Sequence, residues 1–208
     1  MGLQPPLRPP VVAVSRLILA STSAYRRELL ARLGLPFEAE APGVDETRQP
    51  GEVPLALVQR LATAKAEAVA VRRPEAWVIG SDQLAFRGDE VLGKPGSPER
   101  CLAQLAASSG RPVTFLTAVC LLRHRDGARR TTVDTTVVQF RPNDTARLRR
   151  YIERERPFDC AGGFKSEGLG IALFERIESN DPTALIGLPL VWLAGALAEV
   201  GLDPLGDG

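Results

Sequence analysis

The stretch from Val113 to Phe140 most narrows what this chain can fold into. Val113 to Leu122 and Thr131 to Phe140 are two long strand-type runs, and the polar segment Arg123-His124-Arg125-Asp126-Gly127 between them reads as a turn. That combination is an antiparallel hairpin. Helical and strand patterns interleave around it. Arg16 to Ala20 is a short apolar strand running into the hydroxyl cluster Ser21-Thr22-Ser23, and a helix from Ala24 to Leu33 follows, stopped by Gly34. Phe37 to Ala41 reads as a strand, and Pro42 to Pro54 as a loop carrying Asp45 and Glu46. Leu55, Val58, Leu61, Ala62, Lys65 and Val69 recur at helical spacing, which predicts a long amphipathic helix from Pro54 to Val71. Trp77 to Gly80 is a buried-type strand ending at Ser81-Asp82-Gln83, and Leu84 to Leu92 a hairpin about Arg87-Gly88-Asp89-Glu90. Ser97 and Pro98 open a helix to Ala107, and Asn143 caps another through Glu155. Cys160 to Gly170 is a glycine-rich loop, Ile171 to Ile177 a strand, and Pro189 to Val200 a closing helix. Helices interspersed with strands, an antiparallel pair among them, give an α/β fold with a mixed sheet.

At 208 residues, 44% hydrophobic and 25% charged, the chain has an ordinary soluble globular composition with enough length for a sizeable core. One domain, or two tightly joined lobes, is expected. The 26 lysines and arginines nearly balance the 25 acidic residues, which argues against nucleic acid polymers and acidic membranes as partners and makes any phosphate affinity a local matter. Apolar runs are too short to span a bilayer. Cys101, Cys120 and Cys160 are odd in number, widely spaced and without metal-ligand pairing, so a reducing, cytoplasmic setting is expected. Residues 1–15 carry four prolines and read as a flexible extension rather than a signal peptide, residues 16–202 as the folded domain, and residues 203–208 as a flexible tail.

Two scarcities narrow the chemistry. His124, the single histidine, lies in the hairpin turn, which disfavours triads and histidine-metal sites. Of the 26 basic residues only Lys65, Lys94 and Lys165 are lysines. A lysine is a compact point charge that can approach one phosphate oxygen, so lysines kept in an arginine-rich chain point to active-site work. The strand that ends in Ser21-Thr22-Ser23 and enters a helix bearing Arg26 and Arg27 outlines an anion site, with helix-start N–H groups, hydroxyls and guanidiniums converging; the plainer reading is a serine cap with solvated arginines. Gly80-Ser81-Asp82 places a carboxylate at a strand end, where open α/β sheets gather ligand groups, although such an aspartate is also a common turn former. Together with Glu46 and the lysines it offers what phosphoryl chemistry requires, carboxylates for Mg²⁺ beside cations for phosphate.

These residues also carry a resemblance. Leu17-Ile18-Leu19-Ala20-Ser21-Thr22-Ser23 followed by Arg26-Arg27-Glu28-Leu29-Leu30 resembles the opening signature of the Maf family of nucleoside triphosphate pyrophosphatases. Asp45-Glu46, Ala64-Lys65-Ala66, Gly80-Ser81-Asp82, Gly93-Lys94-Pro95, Ser109-Gly110 and Gly187-Leu188-Pro189 recur in that family's order, over about residues 16–200. Asp82-Gln83 and the segment Ala161 to Gly170, with Lys165 and Glu167, resemble the branch acting on 7-methyl-GTP; the dTTP and UTP branch typically has Asp-Thr and a glutamine at those two places. Ala24 stands where proline is usual, and Tyr25 where this branch often has tryptophan.

The resemblance implies a Maf-like, inosine triphosphatase-like α/β architecture: a mixed sheet in two lobes with the nucleotide in the cleft between them. It implies hydrolysis of a triphosphate between its α and β phosphates, with Asp82 as proton acceptor or as the ligand of a metal that positions the water. Glu46 and Asp82 would hold Mg²⁺ or Mn²⁺, and Ser21, Arg26, Lys65, Lys94 and Lys165 would neutralise the phosphates. Gln83 joins the substrate contacts. Tyr25 offers a ring for the positively charged 7-methylguanine, and Glu167 a carboxylate for its N1–H and exocyclic amine. The rival readings are a dTTP/UTP-type pyrophosphatase, a nucleotide-binding module tied to septum formation without turnover, and a structural partner protein; a homodimer is the expected assembly.

Overall fold

The computed structural model describes residues 17–206. The proline-rich stretch 1–15 and the last two residues of the expected tail lie outside them. Residues 203–206 form a turn in which Asp203 accepts the backbone N–H groups of Leu205 and Gly206.

The strands are β1 (Leu17–Ala20), β2 (Phe37–Ala39), β3 (Trp77–Arg87), β4 (Glu90–Leu92), β5 (Pro112–Arg123), β6 (Ala128–Phe140) and β7 (Phe174–Glu178). They form one seven-stranded sheet in the order β2-β1-β3-β5-β6-β7, with β4 attached to β3. β1 runs parallel to β2 and β3, whereas β3, β5, β6 and β7 are joined antiparallel, so the sheet is mixed. The expected hairpin is β5 and β6, closed by a one-turn 3₁₀ segment at His124–Asp126 with Gly127 in the left-handed conformation.

The helices are α1 (Ala24–Ala31), α2 (Pro54–Ala70), α3 (Pro98–Ser108), α4 (Thr145–Glu155) and α5 (Leu190–Ala198). Ser23 and Ser97 cap α1 and α3 by accepting the N–H groups of Arg26 and Arg100. Pro54, set in the first turn of α2, supplies the φ angle that a helix start needs. Side-chain alternation along β1 divides the packing. Leu17 and Leu19 pack with α1 and α5, and Ile18 and Ala20 with α2. A separate core gathers α3, α4, the far end of β3, β4 and the β6–β7 edge around Phe115, Phe140, Phe164 and Phe174. Two lobes on one sheet result.

Three expectations need correction. β3 does not stop at Gly80 but continues to Arg87, so Asp82 stands in mid-strand, opposite Ala118 of β5, rather than at a strand end. The cap of α4 is Asp144, which accepts Arg147 N–H at 2.7 Å; the Asn143 amide is committed instead to the carbonyls of Arg141 and Leu173. Residues 169–173 coil in a 3₁₀ segment, and β7 starts only at Phe174. The reason lies outside the segment: Glu155 on α4 accepts Leu169 N–H at 2.9 Å, and Lys165 O accepts Gly170 N–H, which holds the chain in a loop.

Candidate active site

β3 has partners on both sides except in the middle. β5 lies along one edge from Val78 to Phe86; on the other edge β1 pairs with residues 77–80 and β4 with residues 85–87. Ser81 to Leu84 therefore has an open edge at the junction of the lobes. Consecutive strand residues face opposite sides, so Asp82 turns towards α2 while Ser81 and Gln83 turn towards α1 and α5. A cavity of about 680 Å³ opens there and is lined by both Asp82 and Gln83. A strand with a free edge lets one cleft reach both faces of the sheet.

On the α2 face, Lys65 is 5% exposed and Asp82 8%. The Lys65 ammonium lies 2.7 Å from Asp82 Oδ1 and 2.7 Å from Glu46 Oε1, so one buried cation is shared by two carboxylates. Gly80 makes this approach possible. A Cβ at Gly80 would sit 2.2 Å from the carbonyl oxygen of Ala62 and 2.5 Å from the nitrogen of Ala66, so α2 reaches β3 only across a residue without a side chain. Burial raises the Asp82 carboxyl above the ordinary aspartate range, with Lys65 and Arg26 pulling the other way and Glu46 adding to the rise. Arg26 on α1 is lowered by burial, with Asp82 and Glu46 opposing, and remains a cation. Its Nε donates to the carbonyl of Gly187 at 3.1 Å. Ser21, buried at the end of β1, accepts Ser23 N–H at 3.1 Å. Lys94 is exposed and lines the same cavity.

The other predicted contacts form a second group. Tyr25 lines the cavity, and its hydroxyl lies 3.3 Å from Asp159 Oδ2 and 3.6 Å from Cys160 Sγ; burial holds it well above the usual phenol range. Glu167 lines the cavity and is exposed. Gln83 donates from Nε2 to Thr117 Oγ1 and to the carbonyls of Ala184 and Leu185. Lys165 is not among the lining residues: its ammonium donates to the Glu155 carbonyl at 3.2 Å and lies 6.0 Å from the Tyr25 ring centroid. The structure thus brings together Ser21, Arg26, Glu46, Lys65, Asp82 and Lys94 with Tyr25, Gln83 and Glu167 along one cavity, and leaves Lys165 outside its lining, over the Tyr25 ring.

Asp159, Cys160 and the carbonyls of residues 184–187 were not foreseen. Asp159 follows Pro157-Phe158 with no periodicity to mark it, and a backbone carbonyl has no sequence signature at all. Among the described residues no three histidine, cysteine or acidic side chains converge as a metal cage. The donor set nonetheless suits Mg²⁺, an ion commonly held by one or two carboxylates with substrate phosphates completing its shell. Glu46 and Asp82 already face one cationic centre, and Glu46, 60% exposed in its side chain, is open to the cleft.

Comparison with known proteins identifies the family. A sequence profile for Maf-like proteins matches residues 16–200. A protein of Thiobacillus denitrificans named 7-methyl-GTP pyrophosphatase is 56% identical over 91% of this chain and 94% of its own length. One of the same name from Xanthomonas campestris pv. campestris is 57% identical over 90% and 97%. Among solved structures, the Staphylococcus aureus Ham1 protein aligns with a TM-score of 0.44 and 14% identity, over 62% of this chain and 73% of that one. Matched by the family profile along nearly all of its described length, and more than half identical to relatives over nine-tenths of its sequence, the chain belongs to the Maf family.

Proposed function

We propose that this chain hydrolyses 7-methyl-GTP, and related modified nucleoside triphosphates, to the monophosphate and pyrophosphate. The carrying observation is the buried Asp82 carboxylate, clamped with Glu46 on the Lys65 ammonium at the open edge of β3. A water placed beside Asp82 gives up its proton to the carboxylate as its oxygen attacks the α-phosphorus. The bond from that phosphorus to the α–β bridging oxygen breaks, and pyrophosphate departs with the negative charge. Arg26, Lys65 and Lys94 stabilise that charge as it develops. Mg²⁺ or Mn²⁺ held by Glu46 and Asp82 would add Lewis-acid polarisation of the phosphate oxygens. Tyr25 and Glu167 serve the base. A cationic guanine stacks well on an aromatic ring, and a carboxylate accepts from its ring N–H and exocyclic amine. The names borne by the two relatives support this substrate, and three free cysteines support a cytoplasmic setting.

Pyrophosphate release should be measured with 7-methyl-GTP, GTP, UTP and dTTP in the presence of Mg²⁺, and again in excess EDTA after dialysis. The expected result is fastest turnover of 7-methyl-GTP and its loss on chelation. Higher kcat/KM for UTP or dTTP would overturn the substrate, activity persisting in EDTA would overturn the metal, and no pyrophosphate from any triphosphate would overturn the reaction.

A further inference from the structure

The surroundings of Gln83 dictate which end of its amide faces the cleft. The amide nitrogen lies 3.0 Å from the carbonyl oxygen of Ala184, 3.1 Å from that of Leu185 and 2.9 Å from Thr117 Oγ1. Carbonyl oxygens only accept, so the NH₂ end must face this pair; turned round, the amide oxygen would abut two other oxygens. The Thr117 hydroxyl gives its own proton to Ala184 O at 2.9 Å, which leaves its oxygen to accept from Gln83. Gln83 therefore presents its carbonyl oxygen, an acceptor, as its free polar atom.

That assignment lasts only while the 184–187 turn stays in place, and a single carboxylate outside the cleft holds the turn at both ends. Asp181 is 4% exposed and does not line the cavity. Its Oδ1 accepts the Thr183 N–H at 3.0 Å and lies 2.7 Å from the Thr183 hydroxyl, just before the turn. Its Oδ2 accepts the N–H of Val191 at 2.7 Å and of Trp192 at 3.4 Å, in the first turn of α5 just after it. The Thr183 hydroxyl also lies 2.7 Å from Leu188 O and accepts Leu190 N–H at 2.8 Å. Between these ties, Gly187 O takes the Ser81 hydroxyl at 2.9 Å and Arg26 Nε at 3.1 Å. The clamped turn thus holds two cavity-lining residues, Gln83 and Arg26.

We propose that Asp181 is a positioning residue for base selection: by clamping the 184–187 turn it keeps Gln83 turned as an acceptor towards the cleft, and so favours a base whose edge offers adjacent donors. Guanine does so: with Glu167 taking the ring N–H and one hydrogen of the exocyclic amine, the second amine hydrogen is left for Gln83. Uracil, whose single ring N–H stands between two carbonyl oxygens, does not. The inference rests on the pyrophosphatase reading and adds to it a selectivity element remote from the substrate.

The test is the ratio of kcat/KM for 7-methyl-GTP to that for UTP, measured by pyrophosphate release for wild type, Asp181→Asn, Gln83→Leu and a control, Ser108→Ala. A ratio taken on one preparation is independent of the folded fraction, so a merely structural role leaves it unmoved. For Asp181→Asn and Gln83→Leu it should fall by about tenfold, the order of discrimination that one well-made base contact supplies, with no change in the control. If Asp181→Asn does not fold, Thr183→Val loosens the same clamp and carries the same expectation. An unchanged ratio in the clamp variant while Gln83→Leu falls reduces Asp181 to a structural role and overturns the proposal, as does an unchanged ratio in Gln83→Leu. A wild type that releases pyrophosphate from no triphosphate removes the enzymatic reading itself, and a wild type that prefers UTP removes only the base assignment.

Discussion

Asp82 sits where burial and chemistry pull against each other. Deprotonated, it is the form that can take a proton from water; burial favours the other form, and Lys65 and Arg26 pull against it. Because burial raises its pKa, Asp82 in the metal-free protein should titrate above the value of about 3.9 that marks an exposed aspartate, read from its carboxyl carbon shift by NMR. A midpoint at or below that value would show that Lys65 and Arg26 outweigh burial. Asp82→Asn keeps the shape and removes the proton acceptor, so turnover should fall by about two to four orders of magnitude, with near-native circular dichroism. More than a tenth of wild-type pyrophosphate release would sink the assignment. Lys94 makes a different test, since its ammonium stands exposed at the cavity. If it meets one phosphate oxygen as a point charge, Lys94→Arg should lose nearly as much kcat/KM as Lys94→Ala; an arginine variant that behaves as wild type would mean a solvated surface lysine.

Among the elements, the contact of α2 with β3 decides whether the two carboxylates and the lysine meet at all. That contact passes over Gly80, where an added methyl would strike helix backbone rather than a yielding side chain. Gly80→Ala should cost about 1–3 kcal/mol in urea denaturation and lower activity further by moving Lys65 away from Asp82. Wild-type stability would show that the helix shifts without penalty. The sequence predicted α2 from helical apolar spacing and β3 as a buried-type run, and it marked Gly80, Lys65 and Asp82 as motif residues. It did not predict that β3 runs on past Asp82. A strand's length is set by the partners available along its edges, and β5 supplies them from Val78 to Phe86, a pairing between segments far apart in sequence. The same holds for residues 169–173, whose 3₁₀ path depends on Glu155 of α4.

For the whole molecule, two cores on one sheet leave a cleft between them, and a nucleotide bound in that proposed site would tie the lobes together. A non-hydrolysable α,β-methylene analogue of 7-methyl-GTP at a hundred times its Kd should stabilise the fold by about 2.7 kcal/mol. For a chain of this size that is a rise in Tm of about 5–10 °C. If Glu46 and Asp82 hold Mg²⁺ as proposed, the rise should shrink when Mg²⁺ is withheld, because the triphosphate then lacks that counterion. A Tm indifferent to the analogue in a protein that turns over 7-methyl-GTP would contradict a site between the lobes.

The sequence by itself determined the mixed α/β sheet, the β5–β6 hairpin, the strand-to-helix step at Ser21-Thr22-Ser23, and the residue types available for phosphate and metal chemistry. Those features are local: apolar period, turn chemistry, caps, and the rarity of lysine. Only the tertiary structure decided that Asp82 lies in mid-strand beside an open edge, that Lys65 bridges Asp82 and Glu46, and that Lys165 donates to the Glu155 carbonyl over the Tyr25 ring. It alone set the sense of the Gln83 amide, because the carbonyls that orient it belong to residues about a hundred positions away, and every residue type supplies the same carbonyl.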